Sequence, residues 1–160
     1  MNLLLRDGNE ERAGSVTLLG FCSTTGRAES GGRAWTFKRL GFLKPVVTVR
    51  RAGETTDLLR ARVTASGNCE LSLDGRQFRW RPTSCLRGEY AWVSGEGAEV
   101  IRYRQRMPWR RGAQRIEIVA HELPADTAAL LGLLGAFLLM LTVNDAAAIT
   151  AAIIAASIVS

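Results

Sequence analysis

Covalent catalysis needs a nucleophile, a base and a group that orients the base. This chain offers one histidine, His121, three residues before Pro124. It has no second histidine to form a relay or a metal site, and it reads as a surface or capping residue. Cys22, Cys69 and Cys85 lie far apart, with no C-x-x-C pair. Three thiols cannot all pair with one another, and they read as buried free cysteines of a reducing compartment. The His, Cys, Asp and Glu residues show none of the ligand spacings of a zinc site. The glycines in "GSVTLLG", "SGG" and "SGEG" do not open a helix in a phosphate-cradling pattern and read as turns. The expectation is a protein that is not an enzyme, with no cofactor, no metal and no evident small-molecule substrate.

One stretch has recognition character: "RYRQRMPWRRG". Arg102, Arg104 and Arg106 share one face of a strand, and Met107-Pro108-Trp109 turns the chain into Arg110 and Arg111. Guanidinium forks pair with phosphate, and an indole ring favours the boundary between membrane and water. Arg102, Arg104, Arg106, Trp109, Arg110 and Arg111 are therefore the candidate lipid-binding residues. The plainer reading is a solvated hairpin with Trp109 folded back on the body.

Charge points the same way. The 160 residues form one domain by length and carry a formal net charge of +6, with Lys38 and Lys44 the only lysines. From Asp126 onward the only charges are Asp126 and Asp145, so the body before it carries two more, +8. Such a body attracts an anionic phospholipid surface or nucleic acid. Nucleic acid is the weaker candidate, because the tryptophans that would stack on bases, Trp80, Trp92 and Trp109, fall mostly on inward faces. The start, "MNLLLRDGNEERAG", has an apolar run of three leucines, too short for a secretory signal. A cytoplasmic protein is expected, peripheral to the inner face of the membrane.

The elements that must position these residues are short strands over about residues 15–120. "SVTLLGFC", "AWTFKR", "PVVTVRR", "TDLLRARVTA", "CELSL", "RQFRW", "EYAWV", "AEVIRYRQR" and "RIEIVA" are separated by turn residues. Asp74-Gly75 lies between two alternating runs, a strong hairpin signal because both turn positions want positive φ. The regular spacing predicts an antiparallel meander, closed or nearly closed. Its apolar face needs a cover, and the one large apolar body left is C-terminal.

That body is "ALLGLLGAFLLMLTV", Ala129–Val143, apolar on every side. Pro124 ends what precedes it, and Asp126 or Thr127 is placed to cap a helix over about 126–143. Asn144-Asp145 interrupts, and an Ala-rich tail helix follows over 145–158. As a membrane span, Ala128–Val143 falls at or below the short limit of about 17 residues. A longer span would put Asn144 and Asp145 in lipid at several kcal/mol. The alternative remains a small β domain anchored by a single C-terminal span.

The succession "WTFKRLGFLKPVVTVR", "LLRARV", "LSLDGRQFRWRP", "YAWVSGEGAEVIRYR" and "LLGLLGAFLLMLTVNDAA" resembles the tubby C-terminal-domain-like superfamily. Its members include the LURP-one-related proteins and the phospholipid scramblases. The likeness covers roughly residues 15–150: a W-x-F opening, a D-G-x-x-F-x-W hairpin and an all-apolar helix ending near an aspartate. It implies a closed antiparallel barrel of about a dozen strands around a central hydrophobic helix. It also implies a non-enzymatic protein that binds anionic lipid or a membrane-associated partner. The cysteine cluster that scramblases acylate is missing, which removes the ground for lipid scrambling itself.

Overall fold

The computed structural model describes residues 2–6, 12–20, 23–41, 44–64, 66–84, 88–104, 115–117 and 123–159. The side chains of 2–6, 12–13, 104, 115–117 and 147–159 are not among those described. The order is β1 (Asn2–Arg6), β2 (Arg12–Leu18), β3 (Thr25–Ser30), β4 (Arg33–Leu40), β5 (Val46–Arg51), β6 (Leu59–Val63), β7 (Cys69–Leu73), β8 (Arg76–Ser84), β9 (Glu89–Ser94), β10 (Glu99–Arg104), β11 (Arg115–Glu117) and α1 (Ala125–Val159). The molecule is mainly β: one sheet in sequence order, with the C-terminal helix packed against its inner face.

Strand neighbours pair antiparallel from β1 through β11, and the nine strands β2 to β10 carry most of the ladder. An up-and-down meander with an odd number of strands has its first and last strands running the same way. β1 and β11 accordingly meet in parallel, at the single register pair Arg6↔Arg115. The expectation of a closed antiparallel barrel is corrected here. The antiparallel ladder runs from edge to edge, and the sheet does not close into an antiparallel barrel.

Local chemistry explains the strands. β6 and β7 bury alternate residues, Leu59 and Ala61, then Cys69 and Leu71. Asp74 and Gly75 both take positive φ, 51° and 75°, the geometry a two-residue hairpin requires. Gly31 and Gly32 do the same between β3 and β4, at 54° and 74°. Two strands had no counterpart in the sequence reading. β1 uses the three leucines of the N-terminus, and β3 has the unassuming sequence TGRAES.

The helix is one element of 35 residues. Residues 126–143 and the Ala-rich tail belong to it together, and Asn144-Asp145 does not break it. Asp145 accepts two hydrogen bonds from the Arg39 guanidinium on β4, at 2.5 and 2.9 Å. Asp126 ion-pairs with Arg33 at the other end of the same strand. The first intrahelical bond runs from the Ala128 N–H to the Pro124 carbonyl at 2.9 Å, which makes Pro124 the cap. The expected caps, Asp126 and Thr127, lie inside the first turn and face Arg33 and Asp74 instead.

Every residue from Leu130 to Leu141 is buried. The all-round apolarity follows, since no face of this stretch meets water. The fit is close. A methyl group at Gly135 would stand 2.4 Å from the Tyr103 hydroxyl and 2.7 Å from Trp80, and one at Gly26 would stand 2.8 Å from Phe137. Trp80 packs on Tyr90, Trp92 and Tyr103, with ring centroids 4.8–5.3 Å apart. Two aromatic donors tie the sheet to the helix. The Trp92 indole N–H donates to the Leu131 carbonyl at 2.9 Å, and the Tyr103 hydroxyl is shared between the carbonyls of Leu131 and Gly132 at 2.9 and 3.0 Å. Each carbonyl has a second lone pair to offer beyond its helical bond.

Ala125–Ala146, 22 residues of mean hydropathy 2.0, is long and apolar enough to cross a membrane, but 72% of its apolar window is buried within the protein.

Candidate functional site

With large side chains turned inward, the alternate residues of each strand face out, and on this chain many are arginines. β6 contributes Arg60 and Arg62, and β8 contributes Arg79 and Arg81. β7 lies between them, and Glu70 pairs in register with both Arg62 and Arg79. Together with Ser72, Gln77, Ser94 and the turn at Gly95–Gly97, these residues line a groove of about 450 Å³ on the outer wall.

The charges in the groove are unequal: four arginines stand against one glutamate. Arg79 is committed to Glu70, Nε to Oε1 at 3.0 Å. Arg60 donates to Asp57 at 2.8 Å, and Arg50 donates to the same carboxylate at 2.6 Å. The hydrogen bond from Arg50, then that from Arg60, holds the Asp57 carboxyl below its ordinary range. Arg62 and Arg81 are exposed and enter no ion pair among the described residues. Two unneutralised guanidinium forks beside hydroxyls and an amide make a site that favours an anion, phosphate above all.

A second concavity, about 440 Å³, lies by the β3–β4 hairpin. Its arginines are engaged internally, Arg27 with Glu29 at 3.1 Å and Arg33 with Asp126. It offers less to an outside anion. Among the described residues no group of three or more His, Cys, Asp or Glu could hold a metal ion.

The residues singled out from the sequence fare differently. Arg102 lies on the outer face of β10, opposite the inward Ile101 and Tyr103. Its guanidinium is held by Glu99 at 2.5 and 3.0 Å. Arg104 ends β10, and its side chain is not described. Arg106, Trp109, Arg110, Arg111 and His121 lie outside the described residues, as do Cys22 and Cys85. The groove residues Arg60, Arg62, Arg79 and Arg81 were missed, although "LRARV" and "RQFRWR" carried their signal, arginine at every second position. Cys69 is a buried free thiol, and burial pushes its pKa up to about 12. Trp80 and Trp92 are buried and present no face to a nucleobase.

No family model, no curated protein and no solved structure matches this chain.

Proposed function

We propose that this protein is a non-enzymatic, tubby-like barrel that binds an anionic phospholipid surface, or a partner held at one, through its arginine-covered outer wall. The observation that carries the reading is the β6–β9 groove, with Arg62 and Arg81 unneutralised beside Glu70-bound Arg79. Opposite charge within a Debye length draws such a wall to anionic headgroups. The barrel reading takes the β1–β11 pair as the seam of a sheet wound around the helix. It is supported by the meander order and by the burial of Leu130–Leu141. The protein would be cytoplasmic and peripheral to the inner face of the membrane.

The test is co-sedimentation of the full chain with phosphatidylserine-containing vesicles at low salt. Binding is expected there, lost with pure phosphatidylcholine and weakened by salt. The double variant Arg62→Glu with Arg81→Glu should weaken it. Absence of any binding to anionic vesicles at low salt overturns the proposal.

A second reading keeps a specific observation in its favour, the span-competent length of Ala125–Ala146. On it, the helix anchors a small β domain in the bilayer. Expression without detergent separates the two: a full-length protein that stays soluble and monomeric rules out the anchor.

A further inference from the structure

The outward residues of neighbouring strands stand in rows, and one row crosses the groove. Arg62 on β6, Glu70 on β7 and Arg79 on β8 are successive register partners. Neighbouring strands are ~4.8 Å apart, so the two arginines stand ~10 Å apart with the carboxylate-bearing residue midway. Arg81 is the next outward residue along β8 after Arg79. On β7 the next outward residue after Glu70 is Ser72, which pairs in register with Gln77. The middle of the groove is a place for an anion, and an anion of the protein's own already stands there.

Glu70 holds that place weakly. Its one ion pair among the described residues is with Arg79, at 3.0 Å, and the side chains of both are more than half exposed, Arg79 65% and Glu70 60%. A pair so open to water is weak, because solvent screens it and two long side chains lose freedom in making it. The other acid bordering the groove behaves differently. Asp57 is gripped by Arg50 and Arg60 at 2.6 and 2.8 Å, and its side chain is only 13% exposed. Asp57 is fixed and takes Arg60 out of play, whereas Glu70 is free to turn outward into water.

We propose that Glu70 is a built-in competitor for the groove: its carboxylate stands where a phosphate group binds, and it yields when a phosphate is offered. The inference rests on the anionic-lipid reading above and adds to it a regulation of the same site. A phosphate monoester carries more charge than a carboxylate and offers three acceptor oxygens, enough to take the forks of Arg62, Arg79 and Arg81 together. The exchange breaks only the weak Arg79 pair. Glu70 thereby sets a threshold: an anion that cannot outbid it on Arg79, such as a single carboxylate, leaves it in place.

The experiment compares the full chain with Glu70→Gln and Glu29→Gln. Glu29 pairs with Arg27 at 3.1 Å outside the groove, and its side chain is 52% exposed. Each variant therefore adds one positive charge and releases one arginine, but only Glu70→Gln does so in the groove. Thermal melts matching the parent establish that both are folded. The probes are inorganic phosphate, with ionic strength held by chloride and binding followed by amide NMR resonances, and vesicles containing phosphatidic acid at low salt. Glu70→Gln should bind both about three- to tenfold more tightly than the parent, with Glu29→Gln within about twofold of it. A gain on inorganic phosphate alone supports the competitor and makes a soluble phosphate its ligand. Parent binding to the vesicles with no gain for Glu70→Gln on either probe, or with equal gains for the two variants, overturns the competitor and leaves the anionic-lipid reading standing. Absence of vesicle binding by all three proteins overturns that reading itself.

Discussion

Replacing Gly135 with alanine should destabilise the protein, although alanine is the better helix former. In an exposed helix the exchange would gain about 1 kcal/mol. Here the new methyl group meets the Tyr103 ring and hydroxyl at 2.4–2.5 Å and Trp80 at 2.7 Å. Neither ring has room to yield. Trp80 is enclosed by three aromatic neighbours, and Tyr103 is fully buried and hydrogen-bonded to two helix carbonyls. Overpacking costs about 1–3 kcal/mol. Forcing the tyrosine hydroxyl off its acceptors costs about 1–3 kcal/mol more. After the helix gain, a net loss of roughly 1–5 kcal/mol remains. Gly132, one turn back, is the control: a methyl there meets nothing within 4 Å, so Gly132→Ala should be neutral or stabilise by up to about 1 kcal/mol. Urea titrations followed by tryptophan fluorescence measure both. Equal midpoint shifts for the two variants, or a raised midpoint for Gly135→Ala, would mean that Tyr103 and Trp80 do yield to the methyl group.

Two further outcomes follow from the same core. Leu138→Ala should cost about 2–5 kcal/mol in urea titration, and Leu138→Arg should yield no folded protein, because an unpaired charge would be buried among apolar strands. Alkali should unfold the protein through Cys69 and Tyr103, whose burial holds their folded pKa values above the ordinary ones. The Cys69 contribution is whole below the unfolded thiol value near 9 and is lost as pH rises toward about 12. Cys69→Ala should flatten the fall in melting temperature across that range, and an unchanged slope would remove Cys69 from the account.

Much of this architecture was legible because the inner wall needs bulky residues at every second position. Trp35 and Phe37, Leu71 and Leu73, Phe78 and Trp80, Ile101 and Tyr103 announced their strands, and Asp74-Gly75 announced its turn. β3 escaped for the opposite reason. Where it passes the helix there is no space for bulk, so its inward residues are Gly26 and Ala28, and no hydrophobic alternation is left to see. The continuity of the helix through Asn144-Asp145 was hidden because the partner that makes the acid tolerable, Arg39, is 106 residues away in sequence. The parallel β1–β11 pair is a meeting of the first and last strands, and it was hidden because β1, one of its two members, had no counterpart in the sequence reading. For the groove, alternation showed that the arginines of β6 and β8 face out. That they flank one another across β7 is a long-range fact no local pattern carries.

The C-terminal helix supplies the core on which the sheet packs. Deleting residues 126–160 tests this most directly, with far-ultraviolet circular dichroism and a thermal melt as the measurement. Without the buried run Leu130–Leu141, the truncated chain should show no cooperative melt and should aggregate or remain unfolded. A soluble truncated protein with strand-rich dichroism and a sharp melt would contradict it, and would make the helix an anchor to a β domain that folds alone.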